Sequence, residues 1–174
     1  MLFRSVVEFD YLKHWHEHPR RRTVGPLLLR EFRGRWYVLG RMEGSGRLAC
    51  FGLDRMQNLT PTGRSFAAPA GFDPATYFTH AFGITRPTDG EAPQEILLRF
   101  APVQGRYALS YPLHASQAVL LETDQEIRLR LFVYDTHDLR MELLSYGPEV
   151  DVLAPASLRD WLRRQHRAAA SGKS

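Results

Sequence analysis

The sequence predicts a mixed β and α+β protein: a five-stranded SH3/Sm-like barrel followed by a ferredoxin-like βαββαβ domain. Three observations carry this. Residues 1–65 read as short strands separated by tight glycine turns. Arg86-Pro87-Thr88-Asp89-Gly90-Glu91-Ala92-Pro93 is a polar linker containing Pro and Gly. Beyond it, strand and helix patterns alternate. The expected layout is a barrel over 1–65, a helical connector and linker over 66–93, and a second domain over 94–174.

In the first half, Val7, Phe9 and Tyr11 alternate with polar neighbours, the pattern of a strand with one buried face. Val24 to Phe32 is a second strand, with Pro26 near its start. Gly34 turns the chain into a third strand, Trp36 to Arg41, rich in strand formers. Gly44-Ser45-Gly46 turns it again. Leu48 to Gly52 and Met56 to Thr60 complete five strands, enough to curl into a small barrel. Asp73-Pro74 predicts a helix start, with Asp73 as N-cap, and Gly83 its end.

The second half predicts a strand over Glu95 to Phe100 and a short helix from Pro102 to Ser110. Strands follow at Ala118 to Glu122 and Ile127 to Tyr134. Asp135 is the expected cap of a helix bearing Leu139, Leu143 and Tyr146 at helical spacing, stopped by Gly147-Pro148. Val150 to Leu153 is the last strand. Ser157 and Asp160 suggest a capping box for a final helix with Leu158, Trp161 and Leu162 on one face. This order is that of a split βαβ fold.

Composition narrows the function classes. Hydrophobic residues make up 44% and charged residues 24%, ordinary for a globular chain. No run approaches the roughly 18 apolar residues of a membrane helix, and the opening Met1-Leu2-Phe3-Arg4-Ser5-Val6-Val7-Glu8 is not a signal peptide. Cys50 is the only cysteine, which excludes an intrachain disulfide and suits a reducing cytoplasm. The net charge of +4 is uneven: residues 1–85 hold 12 Lys+Arg against 7 Asp+Glu, residues 86–174 hold 11 against 12. An anionic partner is therefore expected on the first half.

Several stretches together resemble the WYL domain of bacterial transcriptional regulators. These are Phe9-Asp10-Tyr11, Arg22-Thr23-Val24-Gly25-Pro26, Arg35-Trp36-Tyr37-Val38-Leu39-Gly40 and Phe51-Gly52-Leu53-Asp54-Arg55-Met56. Glu142 to Gly147, Val150 to Leu153 and Pro155 are similar to the WCX extension that follows it in that family. The resemblance implies a barrel that senses an effector, a nucleotide or single-stranded nucleic acid, and a second domain for dimerisation and regulation. It also implies a preceding winged helix-turn-helix. Nothing before Ser5 could supply one, so the expectation is a fragment, a split gene or a partner protein that reaches promoter DNA only through such a module. Two departures stand out: Val38 replaces the third residue of the Trp-Tyr-Leu strand, and Ala49 stands where the family often has a basic residue.

The candidate ligand-binding residues are Tyr11, Arg22, Arg35, Tyr37, Arg41 and Arg55. Strand alternation puts Arg35, Tyr37, Leu39 and Arg41 on one face, where an aromatic between arginines could stack a base and hold its phosphates. Tyr37 could equally be a core residue. Arg55 could reach the same groove or pair with Asp54. Arg20-Arg21-Arg22 reads as a cationic loop, with Arg22 the strongest phosphate ligand of the three. Tyr11 could line the pocket or close the core edge. His14, His16 and His18 alternate but lack further ligands at metal spacing. His114, His137 and Asp138 have no nucleophile near them in sequence, and no phosphate-binding glycine loop or zinc signature occurs. The sequence thus predicts no enzyme, no cofactor and no metal. It predicts a cytoplasmic, homodimeric effector-sensing module, with a structural dimerisation fragment lacking a working pocket as the alternative.

Overall fold

The computed structural model describes residues 5–14, 17–87 and 90–172. His16 of the histidine run, residues 1–4, and Thr88 and Asp89 of the linker lie outside these. The chain forms two compact units, residues 1–77 and 78–174. Each carries one antiparallel sheet.

The first unit contains β1 (Ser5–Tyr11), β2 (Arg20–Phe32), β3 (Arg35–Met42), β4 (Leu48–Gly52) and β5 (Met56–Ser65). Their order in the sheet is β4-β3-β2-β1-β5, so β4 and β5 are its edges. Arg33 and Gly34, both at positive φ, form the β2–β3 turn, which a two-residue hairpin requires. Phe9, Tyr11, Val24, Val38 and Phe51 build the core on one face, with Phe9, Tyr11 and Phe51 in mutual edge-to-face contact. Gly40 belongs to that face: a Cβ there would stand 2.1 Å from Val24 Cγ1. On the opposite face Gly25 leaves room for the Phe66 ring, 2.5 Å from where its Cβ would be.

Three details differ from the sequence reading. Arg20-Arg21-Arg22 is not a loop but the start of β2, paired with Tyr11, Asp10 and Phe9. Pro26 then falls inside β2, at the register shift between Pro26 and Leu28, where a missing amide costs no regular ladder bond. The helix expected from Asp73 is a run of turns. Asp73 does accept from the Ala75 amide and the Thr76 hydroxyl, both at 2.9 Å. Thr76, Tyr77, Phe78 and Thr79, all poor helix formers, follow at once and do not extend the first turn.

The second unit contains β6 (Gln94–Phe100), α1 (Pro102–Ser110), β7 (Ala118–Glu122), β8 (Ile127–Val133), α2 (His137–Ser145), β9 (Val150–Ala154) and α3 (Ala156–Ala170). The strand order is β7-β8-β6-β9. Strict alternation buries Ile127, Leu129, Leu131 and Val133 of β8, and Ile96, Leu98 and Phe100 of β6. Leu139 and Leu143 of α2 and Leu158 and Leu162 of α3 are buried as well. The other face of this sheet carries ion pairs: Arg99 with Asp151, Arg128 with Glu126, Arg130 with Glu95. Such a face tolerates water.

Two expected caps are replaced. Thr136, not Asp135, is the N-cap of α2. The Asp135 carboxylate instead takes a bidentate bond from Arg140, at 2.7 and 3.0 Å. Helix α3 starts directly after Pro155, so Ser157 sits inside its first turn and no capping box forms. No helix among the described residues is long and apolar enough to cross a membrane.

Candidate functional site

The core face of the first sheet opens at one end into a cleft of about 300 Å3. It is lined by Tyr11, Lys13, Arg22, Met42, Ala49, Cys50, Phe51 and Arg55. Register explains most of this set. Phe9 is opposite Arg22, Val24 opposite Met42, and Val38 opposite Phe51, so these side chains project to the same side. Apolar residues fill the middle of that face, and the strand ends bring tyrosine and arginine to its mouth.

Arg55 reaches the cleft through a single 3-10 turn, Leu53–Arg55, between β4 and β5. Its guanidinium carbon lies 5.1 Å from the centre of the Tyr11 ring, a cation–π distance. The Tyr11 hydroxyl accepts the buried Gly52 amide at 3.1 Å. Burial pushes the Tyr11 hydroxyl above its ordinary pKa, against the Gly52 hydrogen bond and the Arg55 charge, which pull it down. Gly52 is needed where it is. A Cβ there would stand 2.6 Å from Asp54 Oδ1 and 3.0 Å from an Arg55 terminal nitrogen.

The Nε atoms of Arg22 and Arg55 are buried and have no hydrogen-bond partner among the described residues. Arg55 Nε stands 4.0 Å from Asp54 Oδ1, too far for a hydrogen bond. An unpaired buried N–H on a charged group is costly, and an anionic or polar ligand would relieve it. A second cleft, of about 340 Å3, lies alongside and shares Arg22 and Met42 with the first.

The six candidate residues divide. Tyr11, Arg22 and Arg55 come together in the cleft. Arg35, Tyr37 and Arg41 share the opposite face of β3, as their alternation requires. Arg35 stands 3.8 Å from Asp54. Tyr37 is half-buried opposite Gly52. Arg41 lies over the β3–β4 turn, 3.5 Å from where a Gly46 Cβ would be. Arg21 points away from Arg22 and is occupied by Glu8, Asp10 and Thr60. Lys13 and Phe51 are cleft residues that the sequence reading did not select. Phe51 stood within a recognised motif, whereas Lys13 follows the end of β1, where no periodicity marks it. Ala49 lines the cleft, so the departure from the family pattern falls inside the site. Among the described residues no three His, Cys, Asp or Glu side chains are grouped to hold a metal.

Comparison with known proteins gives two family matches, the WYL domain over residues 1–61 and the WCX domain over residues 92–170. Among solved structures the chain is similar to proteasome accessory factor B/C of Arthrobacter aurescens, at 24% identity and a TM-score of 0.37. That likeness covers 98% of this chain and 25% of the other. It is also similar to a CRISPR Cas-related protein, at 11% identity and a TM-score of 0.52, over 96% of this chain and 47% of that one. The second likeness is one of fold. The chain therefore spans about a quarter and about half of the length of these two proteins. No curated protein sequence matches it.

Proposed function

Because this chain belongs to the WYL domain family and carries a WCX domain after it, we propose that it is the effector-sensing and dimerisation module of a bacterial transcriptional regulator. The first unit is read as an SH3/Sm-like barrel left open between β4 and β5, and the second as a ferredoxin-like domain. The effector is a nucleotide or single-stranded nucleic acid, bound in the Tyr11–Arg22–Arg55 cleft. The module works in the cytoplasm, without catalysis.

The observation that carries this reading is the pair of buried Nε atoms, on Arg22 and Arg55, that have no hydrogen-bond partner among the described residues, in a cleft that Tyr11 also lines and where Arg55 lies over the Tyr11 ring. A phosphate suits guanidinium geometry. A base suits the aromatic lining of Tyr11 and Phe51, where stacking contributes roughly 1–3 kcal/mol. Arg35, Tyr37 and Arg41, on the other face, then contribute little. Titration of labelled single-stranded oligonucleotides and of nucleotides tests this. Arg22→Ala and Arg55→Ala should weaken binding, and Arg35→Ala and Arg41→Ala should not. Equal loss from both sets would sink the cleft as the site.

Ala49 favours one second reading, a dimerisation fragment whose pocket has lost its ligand. A folded parent chain that binds no nucleotide or oligonucleotide would favour it.

Pairing of two copies through the second unit is supported by apolar surface left uncovered. Val103, Tyr107 and Tyr111 are 65%, 66% and 85% exposed. Leu158 and Leu162 are spent inside the unit, and Trp161 lies under Arg140. Sedimentation at about ten micromolar, near ordinary affinities, should show a dimer; a monomer there contradicts the pairing.

A further inference from the structure

Helix α3 separates charge in a way the sensing role does not use. Residues 156–170 hold four arginines and one aspartate, whereas residues 86–155 hold six Lys+Arg against 11 Asp+Glu. A basic helix is thus set on an acidic body. At 100° per residue, Arg163, Arg167 and Arg164 fall within one arc of about 100° opposite the buried Leu158 and Leu162, with Arg159 at its margin. Arg159 is engaged with Asp160 at 3.3 Å. Arg163, Arg164 and Arg167 are exposed, and no carboxylate pairs with them among the described residues.

We propose that this arginine face of α3 is a docking surface for the phosphate backbone of duplex nucleic acid, separate from the effector cleft. Arg159, Arg163 and Arg167 follow one another at i, i+4 and i+8, about 6 Å apart along the axis. Arg163, Arg164 and Arg167, with no carboxylate partner among the described residues, can meet a row of phosphates without base readout. A membrane fits less well, because the apolar stripe that insertion needs is already buried in the protein. A second copy fits less well too. Four carboxylates of its acidic body, Glu95, Glu126, Asp135 and Asp151, are already held by its own arginines, and pairing through the remaining ones, such as Glu122 and Asp124, is what the sedimentation arm of the test reads.

The test is fluorescence anisotropy of the full chain with a random-sequence duplex over a range of salt concentrations. The probe is compared for the parent, the triple variant Arg163→Gln/Arg164→Gln/Arg167→Gln and the cleft variant Arg22→Ala/Arg55→Ala. The parent should bind weakly, without sequence preference and with strong salt dependence. The triple variant should lose at least about tenfold in affinity at low salt, and its log–log salt slope should flatten by roughly 2–3. The cleft variant should keep duplex binding and lose only single-stranded ligands, which separates failure of this proposal from failure of the effector site. Circular dichroism checks that the exposed substitutions leave the helix intact. The proposal is overturned if parent and triple variant bind duplex alike, or if the parent binds none. It is also overturned if the three arginines instead govern binding to anionic vesicles or the sedimentation of the chain alone.

Discussion

The Arg55 guanidinium lies over the Tyr11 ring, 5.1 Å from its centre, while the hydroxyl of that ring accepts the Gly52 amide at 3.1 Å. Tyr11 therefore links the core to the cleft. Its ring packs on Phe9 and Phe51, its hydroxyl accepts a buried amide, and its face is covered by the Arg55 guanidinium.

Tyr11→Phe keeps the packing and leaves the buried Gly52 N–H without its acceptor, at a cost of about 1–3 kcal/mol. Tyr11→Ala also opens the aromatic cluster and should cost roughly 3–5 kcal/mol. Urea denaturation followed by circular dichroism measures both. Equal losses would mean that the hydroxyl carries no separate weight.

The raised Tyr11 pKa has a signed consequence. Folding favours the neutral phenol, so its stabilisation is full below the unfolded value of about 10 and is lost as pH rises through the higher folded value. Stability of the parent should fall more steeply above about pH 10 than that of Tyr11→Phe. Parallel curves for the two proteins would remove the linkage.

Gly52→Ala is expected to act on the site more than on the fold. Gly52 has an ordinary φ of −68°, and its added methyl meets the flexible ends of Asp54 and Arg55. Those side chains must move, so ligand affinity should fall about tenfold or more while the denaturation midpoint shifts little. Unchanged affinity in a folded variant would show that the placement of Arg55 is not critical.

In the second unit, Arg140→Ala removes both donors from Asp135, whose side chain is only 10% exposed, and uncovers Trp161. A loss of roughly 1–3 kcal/mol is expected. Asp135→Asn/Arg140→Ala should recover part of it, because no unpaired charge then remains. Absence of any recovery would point to the Trp161 contact as the source of stability.

Strand positions were legible because alternation in β8 is tied to burial, β3 is rich in strand formers, and Leu48 to Gly52 and Pro102 to Ser110 are bounded by clear punctuation. The capping residues were less legible. Asp135 carries the composition of a cap, but a tertiary partner, Arg140, takes its carboxylate, and nothing local announces that. Half of the candidate site was visible for a similar reason. Alternation correctly grouped Arg35, Tyr37 and Arg41, yet it cannot say which face of β3 holds the cleft. That depends on the pairing of β1 with β2, which turns Tyr11 and Arg22 to one side and Arg21 to the other.

The most direct test of the central claim is the salt dependence of single-stranded oligonucleotide binding in the parent and in Arg22→Ala/Arg55→Ala. If both guanidiniums hold phosphates, the double variant should bind more weakly, and its log–log salt slope should be flatter by about 1.4, at roughly 0.7 per contact on single strands. A folded double variant that binds with the affinity and slope of the parent would contradict the assignment of the cleft as the effector site.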